Sequence, residues 1–336
     1  MSRTLQIVTM TSSGAGQNKC LSLLPVILLL LMSSPAGAAA SPSLWESPYV
    51  PANPHVTDTI RDEIQDSLLF RLNLIYLNAV NDHKSPYEII PVIESMLELD
   101  SSLYNLWFDL GMEQLKIQNY EKAIDAINRG LVIFPASNRH NLFAIYISLS
   151  YCYHKTNRHQ KEKEILETAA RIHPDHPDIL GRYAICAHSR LRHTEAEYYI
   201  RKLVNALRKD GLSESDIAYH IGTLFMTTDY VEAEKYLRTA SHYDPEDQEK
   251  KGALAWVLIR NALKIKEGMK LIAEALEADP GNAAFIHYQG YGYYLQGNYQ
   301  KALENLRKAS DLSLDYNFDL ENHLKLVEKA LTSEQE

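Results

Sequence analysis

The sequence predicts an all-α protein in which antiparallel helix pairs stack one after another, and three observations predict it. A spacing of 34 residues separates Cys152 from Cys186 and His154 from His188, and a tandem period of this size indicates a repeated helical unit. Apolar residues recur at helical spacing over residues 105–135. Gly and Pro number only 14 and 13 among 336 residues, which suits a mostly helical chain.

Composition and charge limit the classes of function. The chain is 46% hydrophobic, which is enough to form a substantial core. It carries 43 acidic residues against 34 basic ones, a formal net charge of −9. A nucleic-acid-binding protein normally presents a basic surface. We therefore expect no nucleic-acid partner.

Residues 1–40 have the pattern of a secretory signal peptide. The only two charged side chains before Glu46 are basic, and an apolar run at residues 20–32 is followed by a run rich in small residues. We therefore expect an exported, periplasmic protein whose mature chain begins near the end of this segment. Two alternatives stay open. In the first, residues 21–40 stay uncleaved and anchor the protein in the membrane, which is the one route to membrane association that we expect. In the second, translation begins at Met10.

The two ends of the repeated region share one pattern of residues: Trp107, Leu110, Gly111, Tyr120, Ala123, Ile127 and Pro135 in the first unit and Ile286, Gly290, Tyr293, Tyr299, Ala302, Leu306 and Ala309 in the last. This pattern resembles the tetratricopeptide repeat family. Small residues on both helices of each pair allow close approach, and a Pro ends many of the second helices. The resemblance implies a right-handed α-solenoid, a TPR-like superhelix, whose concave surface binds a partner. Glu162 and Trp256 depart from the pattern, because each stands where a small residue is usual.

The same patterns divide the chain beyond the leader into four segments. Residues 41–56 are Pro-rich and predict an extended tether. Residues 57–103 predict a divergent helical pair, and residues 104–316 predict about six tetratricopeptide-like repeats. Residues 317–336 predict a capping helix and tail, which a solenoid needs because its last unit would otherwise expose an apolar side.

The two cysteines beyond the leader lie at equivalent places in successive repeats. Equivalent helices in neighbouring units pack about 8–10 Å apart, whereas a disulfide needs Cα atoms within about 7 Å. We therefore expect Cys152 and Cys186 to be buried, unpaired thiols.

Histidines are frequent in the second and third repeats, yet their spacing does not indicate a metal site. One pair, His173 and His176, brackets a Pro turn, and the others lie one repeat apart, whereas zinc needs convergent ligands. We expect no metal and no other cofactor, with zinc bound by His154 and His188 as the alternative. The sequence also contains no P-loop, G-x-S-x-G or H-E-x-x-H motif. We therefore predict no enzyme and no catalytic residue.

A second stripe along the first helices of several repeats predicts a partner-binding groove. It is rich in Tyr and Met, which are favoured at interfaces; the alternative is that these side chains pack on the second helices or the adjoining repeat. Charge along this face comes only from Lys116, Lys155, Lys250 and Arg260, so it does not indicate a site for a partner's terminal carboxylate. The predicted groove residues are Phe108, Met112, Leu115, Ile147, Tyr151, His154, Tyr219, Met226, His287, Tyr291 and Tyr294.

These features together predict a function. We expect a non-enzymatic scaffold or adaptor in the periplasm that binds a peptide or helix of a partner protein in its concave groove. The alternative is a ligand- or metal-binding accessory protein of an envelope transport or assembly system.

Overall fold

The computed structural model describes residues 60–333 apart from 136–137, 139–141 and 263, and the side chains of residues 60–64 are also left out. The predicted leader and tether lie outside the described residues. Fifteen helices are described: α1 Ile60–Asn81, α2 Pro86–Leu99, α3 Tyr104–Lys116, α4 Tyr120–Ile133, α5 Phe143–Lys155, α6 His159–Ile172, α7 Pro177–Ser189, α8 His193–Lys209, α9 Glu214–Phe225, α10 Tyr230–Tyr243, α11 Gln248–Arg260, α12 Ile265–Ala278, α13 Ala283–Leu295, α14 Tyr299–Leu312 and α15 Phe318–Ser333.

The helices pack in sequence order as seven antiparallel pairs, α1 with α2 through α13 with α14, and α15 packs on the last pair. The described part of the chain contains no strand. The predicted all-α solenoid is therefore confirmed. None of the described helices combines the length and the apolar character needed to cross a bilayer.

Local sequence explains where many helices begin. The Asp229 side chain accepts hydrogen bonds from the backbone N–H groups of Val231 and Glu232, and Ser213 accepts one from Asp216. Such N-caps satisfy donors that the first helical turn leaves without a partner. Ser85 does the same for α2, and the Pro86 that follows it has no N–H to satisfy.

The turns within the pairs share one backbone conformation. A residue with positive φ follows the first helix in six pairs, and Gly297 is the only glycine among them (φ +76°). Leu191 adopts this left-handed conformation with its side chain exposed, where a residue other than Gly is uncommon. The shared turn reverses the chain in each of these pairs and sets its two helices antiparallel. The six residues are His83, Gln118, Asn157, Leu191, Ala262 and Gly297.

Close approach of the two helices in a pair depends on small residues. A Cβ added at Gly111 would lie 2.5 Å from Cγ1 of Ile127 and 3.3 Å from the Ala123 carbonyl oxygen. The corresponding contact in the last pair joins Gly290 to Leu306, at 2.9 Å from an added Cβ. The small residues of the tetratricopeptide pattern thus lie where no larger side chain fits.

The sixth pair corrects the expectation about Trp256. Its close approach joins Gly268 to the carbonyl oxygen of Ala255, which an added Cβ would meet at 2.8 Å. The small positions are therefore one residue earlier in α11 than expected. Trp256 instead stacks on Tyr288 of the next pair, with ring centroids 4.4 Å apart.

The stack curves so strongly that its two ends meet. Lys155 at the end of α5 donates to the carbonyl oxygen of Thr227, two pairs further along. Asp315 before α15 contacts His83 in the first pair (Oδ1–Nδ1 2.9 Å), and the Tyr316 ring meets Tyr87 edge-on at 6.1 Å. The segment that leads into α15 therefore bridges the ends of the solenoid and closes it into a ring.

Replacing Gly111 with Leu should overpack the contact between α3 and α4. We expect the free energy of unfolding to fall by about 1–3 kcal/mol, as measured by denaturant-induced unfolding. Gly281→Leu is the matched control, because the nearest atom to an added Cβ there is 4.0 Å away, and its effect should stay within about 0.5 kcal/mol. Equal losses in the two variants would show that the close approach does not set the stability of the pair.

Candidate functional site: the inner surface

The first helices of the pairs form the inner side of the ring. α3 contacts α5, α5 contacts α7, α7 contacts α9, and α11 contacts α13, while α15 touches α13. Asp319 at the start of α15 reaches Gln118 in the second pair and Arg260 in the sixth. We call the side chains of α3, α5, α7, α9, α11 and α13 that face the space bridged by Asp319 the inner surface.

The structure divides the eleven predicted groove residues into two sets. Six are buried and therefore cannot touch a partner in this conformation, which corrects the sequence prediction for them. The other five are half-buried, and their role in binding stays a prediction. The buried set is Phe108, Leu115, Ile147, His154, Met226 and His287, and the half-buried set is Met112, Tyr151, Tyr219, Tyr291 and Tyr294.

Phe108 shows why a residue of the predicted groove stripe can be buried in the core. Its ring is fully buried against Phe134, with centroids 5.9 Å apart. A Cβ added at Gly130 would lie 2.6 Å from the Phe108 ring. Gly130 has no side chain, and the Phe108 ring fills the space that a methyl group would take. The packing alternative is thus correct for Phe108.

A polar cluster lies at the centre of the inner surface. Gln118 donates to Asp319 (Nε2–Oδ1 3.3 Å), and an Arg260 Nη1 lies 3.9 Å from Asp319 Oδ2. Burial and the neighbouring charge of Arg182 hold the pKa of the Lys155 ammonium below its usual value, while Asp319 opposes this shift. Asp319 therefore supplies negative charge at a place where several cations converge.

Aromatic rings support these cations. Lys155 Nζ lies 5.6 Å from the centroid of the Tyr151 ring. The Arg260 guanidinium lies 5.3 Å from the Trp256 ring and 6.0 Å from the Tyr291 ring. Cations over aromatic faces gain about 0.5–2 kcal/mol as water is excluded. The inner surface thus combines positive charge with flat apolar area.

The other two predicted charges on this face are already paired. Lys250 lies within 3.1 Å of carboxylate oxygens of Asp216, Asp244 and Asp247. Lys116 pairs with Glu113 at 2.7 Å. Of the four predicted cations, Lys155 and Arg260 are consequently the two whose charge Asp319 balances.

A histidine pair holds α15 against the inner surface. His287 Nε2 and His323 Nδ1 are 2.8 Å apart, and both side chains are buried. The His323 ring also stacks on Tyr291 at 3.9 Å with an interplanar angle of 17°. Burial lowers the pKa of His287 to about 3, with a further contribution from Arg260. Burial, His287 and Arg260 lower the pKa of His323 to about 2.

Two residues of the site were missed in the sequence. Arg182 lies on α7 in the fourth pair and is buried, 5.3 Å from the Tyr151 ring centroid. Its only sequence signal is a basic residue amid the apolar run of α7. Asp319 was assigned to the cap, and nothing in its local pattern indicates that the solenoid curves back on itself.

The histidines of the second and third repeats do not form the predicted alternative zinc pair. His188 bonds Asp229 (Nε2–Oδ2 3.0 Å) rather than His154. His173 and His176 pack around Phe143, at 5.0 and 4.3 Å between ring centroids. Within the described residues, one group has metal-ligand proximity: His154, His159 and Glu162, with ligand atoms within 4.8 Å of one another.

The predicted cysteines and the buried carboxylate lie beside this group. Cys152 and Cys186 are both buried and unpaired, as expected. Burial opposes charge on Glu162, but hydrogen bonds from His154 and the charge of Arg182 hold its pKa below the usual value. The carboxylate is therefore ionised inside the protein.

Comparison with known families identifies the third pair. Residues 143–176 match the family model described as a tetratricopeptide repeat. This segment is therefore similar to a tetratricopeptide repeat. The match covers α5, α6 and the turn that follows them, and it confirms the resemblance drawn from the sequence.

Solved structures and curated sequences add little to this tetratricopeptide repeat assignment. A tetratricopeptide repeat protein from Parabacteroides merdae is 16% identical, with a TM-score of 0.45 over 78% of this chain and 99% of that one. The P58(IPK) TPR domain is 14% identical, with a TM-score of 0.34 over 83% of this chain and 72% of that one. YrrB, a TPR protein with an unusual peptide-binding site, is 18% identical, with a TM-score of 0.29 over 73% and 98%. At these scores the structures carry no argument about what this chain binds, and no curated protein matches the sequence.

Acid should loosen α15. The folded pKa values of His287 and His323 lie below the ordinary value of 6.5, so the unfolded chain takes up protons that the folded chain does not. The stability these groups provide is fully present above pH 6.5 and is lost as the pH falls from there toward about 3. Amide exchange, corrected for the intrinsic effect of pH, should show protection falling in α15 between about pH 7 and about pH 4.5.

The double variant His287→Leu/His323→Leu provides the control for this effect. It contains no titrating group at the contact, so its α15 protection should depend less on pH. Helix α8, which packs on α7 and α9, provides an internal reference. A wild-type α15 whose protection stays constant over this range would contradict the assignment.

Proposed function

We propose that this protein is a non-enzymatic scaffold that binds a peptide segment or helix of a partner protein at its inner surface. One observation carries the proposal. Half-buried tyrosines and two cations converge there around Asp319, a residue of the chain's own last helix. Because a carboxylate of the chain itself lies at this place, we expect the surface to accept an acidic side chain from another protein.

The chemistry of the surface suggests a partner segment with both acidic and apolar side chains. Tyr and Arg are enriched where protein interfaces gain most of their energy. A carboxylate of the partner can take the place of Asp319 beside Lys155 and Arg260, and its apolar side chains can lie on Met112 and Tyr219. The partner would then compete with the start of α15.

The proposed compartment is extracytoplasmic and, more narrowly, periplasmic. Its support is the sequence of residues 1–40, which lie outside the described residues. A basic start, an apolar run and small residues near residue 40 suit export. An envelope assembly, secretion or transport complex is the setting we propose for the partner.

Sequencing the N-terminus of exported protein tests the compartment. We expect a mature chain that begins near Ala39–Ser41. A chain that begins at Met1 or Met10 and fractionates with membranes would support the anchored alternative. Intact protein found in the cytoplasm would contradict export.

Site-specific photo-crosslinking tests the binding surface. A photoreactive phenylalanine derivative placed at Met112, Tyr219 or Tyr294 should trap the partner in cells that make the protein. The controls are the same substitution at Val132 and Val231, which are 84% and 69% exposed on the second helices α4 and α10. Trapping from the inner positions alone supports the proposal.

The identified partner then allows a quantitative measurement. Tyr219→Ala should weaken its affinity by about tenfold or more while the melting temperature changes little, whereas Val231→Ala should leave affinity unchanged. Crosslinks from the control positions alone would place the partner on the outer helices and would refute the inner-surface site.

A further inference from the structure

The end of α5 and the start of α6 bring three ligand-type side chains together. His154 Nδ1 lies 3.2 and 3.1 Å from the two carboxylate oxygens of Glu162. His159 Nδ1 lies 3.1 Å from Glu162 Oε2. His154 and Glu162 are buried, and 20% of the His159 side chain is exposed. One edge of the group is therefore open to solvent.

A fourth donor comes from the neighbouring pair. Cys186 on α7 lies with its Sγ 3.8 Å from the His159 carbonyl oxygen. Cys186 is buried and forms no disulfide. We call His154, His159, Glu162 and Cys186 the inter-repeat cluster.

The next repeat provides an internal comparison. His188 and His193 stand 34 residues after His154 and His159, but Ala196 occupies the place of Glu162. Other pairs also have a small buried residue at this place, such as Ala123 and Ala302. The rings of His188 and His193 lie 6.1 Å apart, against 5.3 Å for His154 and His159. Glu162 is thus an exception to the repeat.

A buried carboxylate at a helix contact needs a compensating partner. Placing an ionised group in the interior costs free energy unless it is paired or coordinates a metal. Arg182 meets part of this need, with Nη2 3.1 Å from Glu162 Oε1. The second oxygen, Oε2, faces both histidines. Both histidines thus approach Oε2, whereas Arg182 and His154 share Oε1.

We propose that the inter-repeat cluster is a binding site for a divalent transition-metal ion, with zinc as the best fit. The ligands are Nδ1 of His154, Nδ1 of His159, Oε2 of Glu162 and the thiolate of Cys186. Structural zinc takes four such ligands in a tetrahedron, at about 2.0–2.3 Å. Ligand atoms of that tetrahedron lie about 3.2–3.8 Å apart. The ligand atoms of His154, His159 and Glu162 already lie within 4.8 Å of one another, and the Cys186 side chain, which lies beside the His159 carbonyl oxygen, has to turn toward them on binding.

The charge balance of the bound ion and its ligands explains why a thiolate is one of the ligands. Arg182 is buried beside Glu162 and opposes a cation. With two anionic ligands the doubly charged metal ion is neutralised, and Arg182 keeps its bond to the oxygen that does not ligate the metal. A coordinating thiol loses its proton to the metal ion even where its free pKa is high. Binding therefore releases the Cys186 proton to solvent, and each imidazole stays neutral with its proton on Nε2.

The bound ion would lock two neighbouring repeats together. Three ligands belong to the third pair and one to the fourth, so the ion would cross-link α5, α6 and α7. A ligand that binds only the folded chain stabilises it. The expected consequence is a melting temperature that rises with metal concentration.

Cobalt(II) is the probe, added to the full chain prepared without a histidine tag. We expect one ion per chain, with visible bands of tetrahedral cobalt and a thiolate-to-cobalt charge-transfer band. Zinc should displace the cobalt and abolish both. Cys186→Ala should remove the charge-transfer band and weaken binding by about tenfold to a hundredfold or more, and His159→Ala should also weaken binding.

Matched variants separate the site from its surroundings. Cys152→Ala removes the other buried thiol, and His188→Ala alters the equivalent histidine one repeat later, so both should bind like the wild type. Circular dichroism checks that each variant folds. No stoichiometric binding by the wild-type chain would overturn the proposal and leave a buried ion pair with hydrogen-bonded histidines. Binding without a charge-transfer band, or binding lost in His188→Ala instead, would overturn the ligand assignment.

Discussion

The close approach of two helices at small residues is the constraint on which the rest of the structure depends. At Gly111 the facing side chain of Ile127 leaves no room for even a methyl group, and Gly290 repeats this contact near the other end of the chain. A helix pair joined this tightly cannot bury both of its apolar sides. Each pair must therefore pack on the next, and the stack extends until a cap ends it.

The curvature of the stack determines what the inner surface can do. Because the segment before α15 reaches His83 and Tyr87 in the first pair, the concave side is bridged by the chain itself. Asp319 then lies among Lys155, Arg260 and Gln118 instead of capping an open groove. The cap thus has two roles, since it covers the last apolar core and also occupies part of the inner surface. Any partner at this place has to coexist or compete with it.

The sequence was sufficient for the helices and the stacking, because both depend on local periodicity that repeats seven times. The groove was less predictable, since a side chain's exposure depends on contacts between pairs. Phe108 is apolar and on the expected stripe, yet a missing methyl group at Gly130 lets it enter the core. His287 is buried through contact with His323, 36 residues away. The pattern of a single helix does not predict the burial of Phe108 or of His287.

Departures from the repeat pattern carry the most specific information about this chain. Trp256 lies one residue beyond the true close contact and became an aromatic platform for Arg260 and Tyr288. Glu162 occupies the small position itself, and the structure surrounds it with an arginine and two histidines. A repeat tolerates a buried charge only where neighbouring units supply its partners. Arg182, which pairs with Glu162, comes from the following repeat. The exception at Glu162 therefore joins two neighbouring units by an ion pair, where apolar packing alone would otherwise hold them.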